Sequence, residues 1–223
     1  GVLNLMVDNN SGLYEGSIIS CVAISLIPLI LWLAKHGTIF PPDWKVKAFC
    51  YCLCLACLLM PIGTEARTGL VCIVILAGLM LMRSPRRFVY GPLMLFAAYV
   101  ARSVVTDSGG SRLETRIVTD KGRAYHSAYF ELLGEQGYFG FAVWALIHLI
   151  CFIRTESIRR FYRKRDGPQE AWISPFALAL QQGHIIYMIG SLFVGIAYQP
   201  FIFMMLALQI GLDTYLTRKR KTA

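Results

Sequence analysis

Charged residues are scarce in this chain. They make up 16% of its 223 residues, whereas 56% are hydrophobic; an average soluble domain carries about a quarter charged residues. The mean hydropathy of +0.54 excludes intrinsic disorder, which requires few apolar residues. So much apolar surface also excludes an ordinary soluble nucleic-acid-binding domain, although the formal net charge of +9 would otherwise favour one. The composition therefore predicts an integral membrane protein, whose apolar surface is covered by lipid.

The opening residues lack both a Met and the basic start that precedes the apolar run of a cleavable signal peptide. We interpret residues 1–223 as a single membrane domain that forms the C-terminal part of a larger one. The polar loops also lack cysteines that could form a disulfide framework, because all seven cysteines lie in apolar runs. On a helix, Cys50, Cys54 and Cys57 would share one face while Cys52 points away, and no His, Asp or Glu completes a metal site nearby. We predict packing residues rather than metal ligands.

Seven apolar runs approach the roughly 20 residues that a membrane helix needs. They cover residues 17–34, 48–63, 68–83, 88–105, 138–153, 174–197 and 200–216. The predicted fold class is therefore all-α, a polytopic membrane protein of about seven transmembrane helices.

Basic residues are concentrated in four of the segments that these runs leave between and after them. Residues 35–47, 83–87, 154–172 and 218–221 hold 16 of the 22 Lys and Arg residues. Seven spans place all four segments on one side of the membrane, and the positive-inside rule makes that side cytoplasmic. There they would contact anionic lipid headgroups. The outer side receives the hairpin around 64–67, the loop 106–137 and a tight turn at Gln199-Pro200.

Several arginines remain on the outer side, where the topology does not explain them. Arg67 lies in a very short turn between two spans, and Arg102 lies near the outer end of the fourth. Ionisable residues at membrane depth are candidates for function, although Arg67 has the alternatives of pairing with Glu65 or reaching the headgroups. Arg112 and Arg116 are four residues apart, so on a helix they share a face, which is unfavourable unless an anion lies between them.

His126 is the outer residue best suited to proton transfer near neutral pH. With Phe130 and Leu133 it forms a helical stripe, which predicts a short helix resting on the membrane before the fifth span.

Polar residues within the spans have a structural interpretation. We expect His148, Gln181, Gln182 and His184 to make interhelical hydrogen bonds, which polar side chains in lipid need. We expect Asp213 to pair with the basic tail.

Two motifs resemble those of the bacterial O-antigen ligase family. His126-Ser127, nine residues, Gly137, two residues and Gly140 are similar to the family's periplasmic-loop signature. Thr64-x-x-Arg67-x-Gly69 resembles its arginine turn, with Ala66 where the family usually has Ser. Residues 8–10, the run 126–135 and the segment from Trp172 are most similar to the O-glycosylation ligases found with exosortase A systems.

The resemblance implies a glycosyltransferase of the bacterial inner membrane. Such an enzyme transfers a glycan from an undecaprenyl-diphosphate carrier to a hydroxyl of a lipid, polysaccharide or protein acceptor at the periplasmic face, and it needs no metal or cofactor. Arg67 would bind the diphosphate and His126 would accept the hydroxyl proton. Further candidates for substrate binding are Arg112, Arg116 and Arg102. The alternatives are an O-antigen polymerase, a transporter whose solute path Arg67, Arg102, Gln181 and His184 would line, and an inactive remnant.

Overall fold

The computed structural model describes residues 16–36, 39–41, 43–63, 67–82, 127–164, 167 and 170–222, and within these ranges it contains α-helices and no strand. The helices are α1 (Gly16–His36), α2 (Trp44–Gly63), α3 (Arg67–Leu81), α4 (Ala128–Tyr162), α5 (Ile173–Gly190) and α6 (Pro200–Thr222). The predicted all-α fold is confirmed for this part of the chain. The predicted span at 88–105 lies outside the described residues.

Four of these helices are long and apolar enough to cross a membrane, which supports a membrane protein. They are α1, α2, α4 and α6, whereas the apolar part of α3, Thr68–Leu81, is shorter. Helix α5 carries Gln181, Gln182 and His184, which lower its hydropathy. These polar side chains are buried inside the bundle.

Helices α1 and α5 form the centre of the bundle. Helix α1 packs against α2, α3 and α5, and α5 packs against α1, α3, α4 and α6. The approach of α1 to α5 is close, because a Cβ on Gly183 would lie 2.6 Å from the carbonyl oxygen of Ser25. Small residues permit such close contact between membrane helices, whose association depends on packing rather than on exclusion of water.

Helix α4 has one buried face and one apolar exposed face. The buried residues recur every three or four positions along the helix, as expected for a packed seam; they include Trp144, His148, Cys151, Thr155 and Ile158. The exposed face includes Leu146, Ile150 and Ile153. Apolar residues on the outside of a bundle are those that lipid would cover.

Contacts between the helix ends show which ends lie at the same end of the bundle. At one end, the Ala128 amide at the start of α4 donates to the carbonyl of Ser191, just after α5. At the other end, the Trp32 indole N–H of α1 donates to the carbonyl of Trp172, and Lys219 of α6 pairs with Glu170. The basic ends of α1, α4 and α6 therefore lie together, and the starts of α1, α3 and α4 lie at the opposite end, here called the site end.

The structure corrects three predicted boundaries. Helix α5 ends at Gly190, so residues 191–199 form an irregular connection where a longer span and a tight turn at Gln199-Pro200 were expected. Helix α4 begins at Ala128 and continues to Tyr162, beyond the predicted span in both directions. Its last turns leave the apolar run yet stay helical, because Glu156 pairs with Arg159 and Arg160 one turn further on.

Candidate functional site

The structure describes part of the predicted site. Ser127, Gly137, Gly140 and Gly69 are described, and Arg67 is the first residue of α3. The side chain of Arg67 lies outside the described part of the chain, as do Thr64, Arg102, Arg112, Arg116 and His126. What can be examined is therefore how the two motifs are held by the helices that follow them.

The first turn of α4, directly after the predicted catalytic position, is anchored to the α5–α6 connection. The Ala128 amide lies 2.9 Å from the carbonyl oxygen of Ser191 and 3.0 Å from that of Val194. The Tyr129 hydroxyl donates to the carbonyl of Met188 over 3.0 Å. Ser127 and Ala128 are both buried. The backbone is thus held in place two residues after His126 in the sequence.

The residues of this turn that pack into the bundle differ from the stripe predicted around His126, which was expected to rest on the membrane. Phe130 is 61% exposed, whereas Ala128 and Leu132 are buried and form the packed face. The carboxylate of Glu131 accepts a hydrogen bond from the Ala197 amide at 3.4 Å. The α5–α6 connection folds back over this turn and so fixes which face of the first turn of α4 is packed against the bundle.

Gly137 bends α4 within the predicted signature. Its φ of 65° and ψ of −171° separate a short helix over 128–136 from the long one that follows. A glycine populates this region freely, whereas a residue with a side chain is strained there. Gly140 lies one turn later, where a Cβ would collide with the side chain of Gln136. Both motif glycines therefore have a physical role in the bend that precedes the span.

Gly69 explains part of the second motif. A Cβ at this position would lie 2.7 Å from side-chain atoms of Pro61 and 2.8 Å from Ser20 Cβ. The start of α3 is therefore pressed against the end of α2 and the start of α1. Because α3 begins at Arg67, the backbone of the arginine turn is held by two neighbouring helices.

The end of α5 connects the two motifs. The Cys72 thiol of α3 lies 4.0 Å from the carbonyl oxygen of Ile186, and a Cβ on Gly190 would lie 3.0 Å from Cys72 Sγ. The next residue, Ser191, accepts the hydrogen bond from Ala128. The starts of α3 and α4 therefore flank the same end of α5, which brings the two predicted motifs to one end of the bundle.

Three of the four predicted interior polar residues, His148, Gln181 and His184, make hydrogen bonds between helices. His148 Nδ1 lies 2.9 Å from His184 Nε2, and His184 Nδ1 lies 3.0 Å from Gln209 Nε2. Gln181 donates to the Glu156 carboxylate over 2.9 Å. The sequence analysis missed Gln209, whose only signal was an amide within an apolar run.

Asp213 has a different partner from the one predicted. It accepts two hydrogen bonds from the Arg154 guanidinium of α4, at 3.0 and 2.8 Å. Within the tail, Lys219 instead pairs with Glu170, and Arg220 stacks on Phe161. The tail residues lie more than a turn beyond Asp213, whereas Arg154 lies beside it on the neighbouring helix.

The cysteines of α2 are arranged as the helical spacing predicted. Cys50 and Cys54 are buried, Cys57 is half-buried and Cys52 is exposed. Across the described ranges there is no group of three or more His, Cys, Asp or Glu side chains that could hold a metal ion.

Comparison with known proteins gives one match. Residues 1–38, which include all of α1, match a family described as "Family of unknown function (DUF5935)". No curated protein and no solved structure matches the chain.

Proposed function

We propose that this chain is part of a membrane glycosyltransferase of the O-antigen ligase type. The reaction transfers a glycan from an undecaprenyl-diphosphate carrier to an acceptor hydroxyl at the periplasmic face of the bacterial inner membrane. The observation that carries the proposal is the convergence of the two motifs on the end of α5. Ser191 accepts from Ala128, next to the histidine motif, and Gly190 packs against Cys72, one turn into the helix that begins at Arg67.

The arginine motif suits the leaving group of this reaction. The lipid diphosphate gains negative charge as the bond from the sugar C1 to the phosphate oxygen breaks. A guanidinium stays charged and binds phosphate oxygens with two parallel hydrogen bonds, which are strongest where water is scarce. Arg67 begins α3, so the unpaired N–H groups of that helix start favour an anion at the same end.

The histidine motif suits the acceptor. In the proposed step, His126 takes the proton of the acceptor hydroxyl. The hydroxyl oxygen attacks the sugar C1, and the lipid diphosphate leaves. An imidazole near its ordinary pKa performs this transfer well at neutral pH. Such catalysis requires fixed positions, and the Ala128 amide, which donates to two carbonyls, anchors the backbone two residues after His126.

The interior of the described helices favours this proposal over a transporter. A transporter concentrates polar groups at mid-membrane, where they line a path. Here His148, His184 and Gln209 are buried and bonded to one another. These bonds join α4, α5 and α6, which is the role expected of polar side chains that hold membrane helices together.

The test uses the complete chain and purified undecaprenyl-diphosphate-linked glycan. We expect His126→Ala and Arg67→Ala each to abolish glycan transfer while membrane insertion is unchanged. The matched control is Arg159→Ala, which removes an arginine at the opposite end that pairs with Glu156; transfer should persist. Full transfer by both site-end variants would refute the proposed mechanism.

A further inference from the structure

Two buried thiols from different helices meet at the site end. Cys21 of α1 and Cys72 of α3 are both 0% exposed. Each lies less than two turns into its helix, since α1 begins at Gly16 and α3 at Arg67. The pair therefore lies just below the arginine turn.

The end of α5 leaves room for the two sulfur atoms. A Cβ on Gly190 would touch Cys21 Sγ and would lie 3.0 Å from Cys72 Sγ. Both sulfur atoms thus lie within 3.0 Å of the same position. Because residue 190 is a glycine, no side chain keeps the sulfurs apart.

We propose that Cys21 and Cys72 form a reversible disulfide that ties α1 to α3 at the site end. The cysteines of α2 are a poorer choice. Positions three or four apart on one helix, such as Cys50, Cys54 and Cys57, have Cβ atoms roughly 5–6 Å apart. A disulfide needs a Cβ separation of about 3.8 Å. Side chains on two packed helices can approach that distance, whereas those on one turn of a rigid helix cannot.

The chemistry is a two-step thiol–disulfide exchange with a small-molecule disulfide as oxidant. One cysteine thiolate attacks a sulfur of the oxidant, which forms a mixed disulfide and releases one thiolate. The second cysteine then attacks the protein sulfur of the mixed disulfide, closes the Cys21–Cys72 bond and releases the second thiolate. The two cysteines lose two electrons and two protons, and the oxidant leaves as two thiols. If the site end is periplasmic, as the proposed function places it, it faces a compartment where disulfides persist.

The test treats the full-length wild-type chain in detergent micelles with dipyridyl disulfide, an apolar reagent that enters membranes. Remaining thiols are alkylated with iodoacetamide in denaturant, and the non-reduced digest is analysed by mass spectrometry. We expect a peptide pair joined through Cys21 and Cys72 that dithiothreitol separates. Cys54→Ala should retain this link and Cys72→Ala should lose it.

Two results would overturn the proposal. One is recovery of Cys21 and Cys72 as separately alkylated residues or as separate pyridyl mixed disulfides. The other is a link within α2 in place of the expected one. The wild-type chain alone gives either answer, and no glycan is needed, so failure here is distinguishable from failure of the proposed transferase activity.

Discussion

Replacing Gly137 with alanine tests whether the fold maintains the bend near the start of α4. The residue has a φ of 65° and a ψ of −171°, and no atom of the described residues lies within 4 Å of where its Cβ would be. Within the described part of the chain the substitution therefore meets no clash, and backbone strain is its expected effect. Holding a residue with a side chain in such a sparsely populated region costs about 1–3 kcal/mol.

The protein has no cheaper way to relieve that strain. If α4 straightened through residue 137, its first turn would leave the α5–α6 connection. Ala128 would then lose its bonds to Ser191 and Val194, and Tyr129 its bond to Met188. The Ala128 N–H is one donor shared between two carbonyls, so two donors lose their partners. At about 1 kcal/mol for each donor, this loss is as large as the strain. We therefore expect Gly137→Ala to lower the free energy of unfolding by about 2 kcal/mol by either route.

The measurement is an equilibrium unfolding titration in mixed detergent and dodecyl sulfate micelles. Gly211→Ala is the matched control, because residue 211 also has open space around its Cβ but lies in a regular part of α6. Alanine in a regular helix is favoured over glycine by up to about 1 kcal/mol, so the control should be neutral or stabilising. If Gly137→Ala is as stable as Gly211→Ala, the bend is not a feature that the fold maintains.

Three further substitutions examine the contacts between helices. His184→Ala should destabilise the bundle by about 1–3 kcal/mol in the same titration, because it removes two interhelical hydrogen bonds worth about 0.6–1.7 kcal/mol each; Leu208→Ala, on the exposed face of α6, should change little. Tyr129→Phe should cost about 1 kcal/mol and lower the rate of glycan transfer; an unchanged rate would separate this anchor from the site. Asp213→Asn should lower the free energy of unfolding by less than about 1 kcal/mol, since exposed ion pairs contribute little. A larger decrease would show that its pair with Arg154 is shielded from solvent.

Hydropathy predicted the helices that are apolar along most of their length. The run at 17–34 corresponds to α1, Gly16–His36, and the run at 200–216 to α6, Pro200–Thr222. These segments need lipid or the bundle around them, so composition alone identifies them. The polar extensions of α4 and α6 were missed, because they depend on ion pairs and stacking at the basic end rather than on apolar content.

The α5–α6 connection shows why the rest could not be predicted. Leu192, Phe193 and Val194 continue the apolar run, and an apolar run does not distinguish a helix from an irregular segment. Irregular backbone at membrane depth is tolerated only where other groups satisfy it. One of those groups comes from a distant part of the chain, since the Ala128 amide of α4 donates to the carbonyls of Ser191 and Val194. That partnership exists only once the bundle has formed.

The end of α5, where this connection begins, explains why the two motifs must be considered together. A reaction that places an arginine at the leaving group and a histidine at the attacking hydroxyl needs both within one rigid frame. The starts of α3 and α4 are far apart in the sequence, and each is held by the end of α5. Gly190 packs against Cys72 of α3, and the carbonyl of Ser191 accepts a hydrogen bond from the Ala128 amide of α4. A displacement of this one helix end would therefore move both sides of the proposed reaction together.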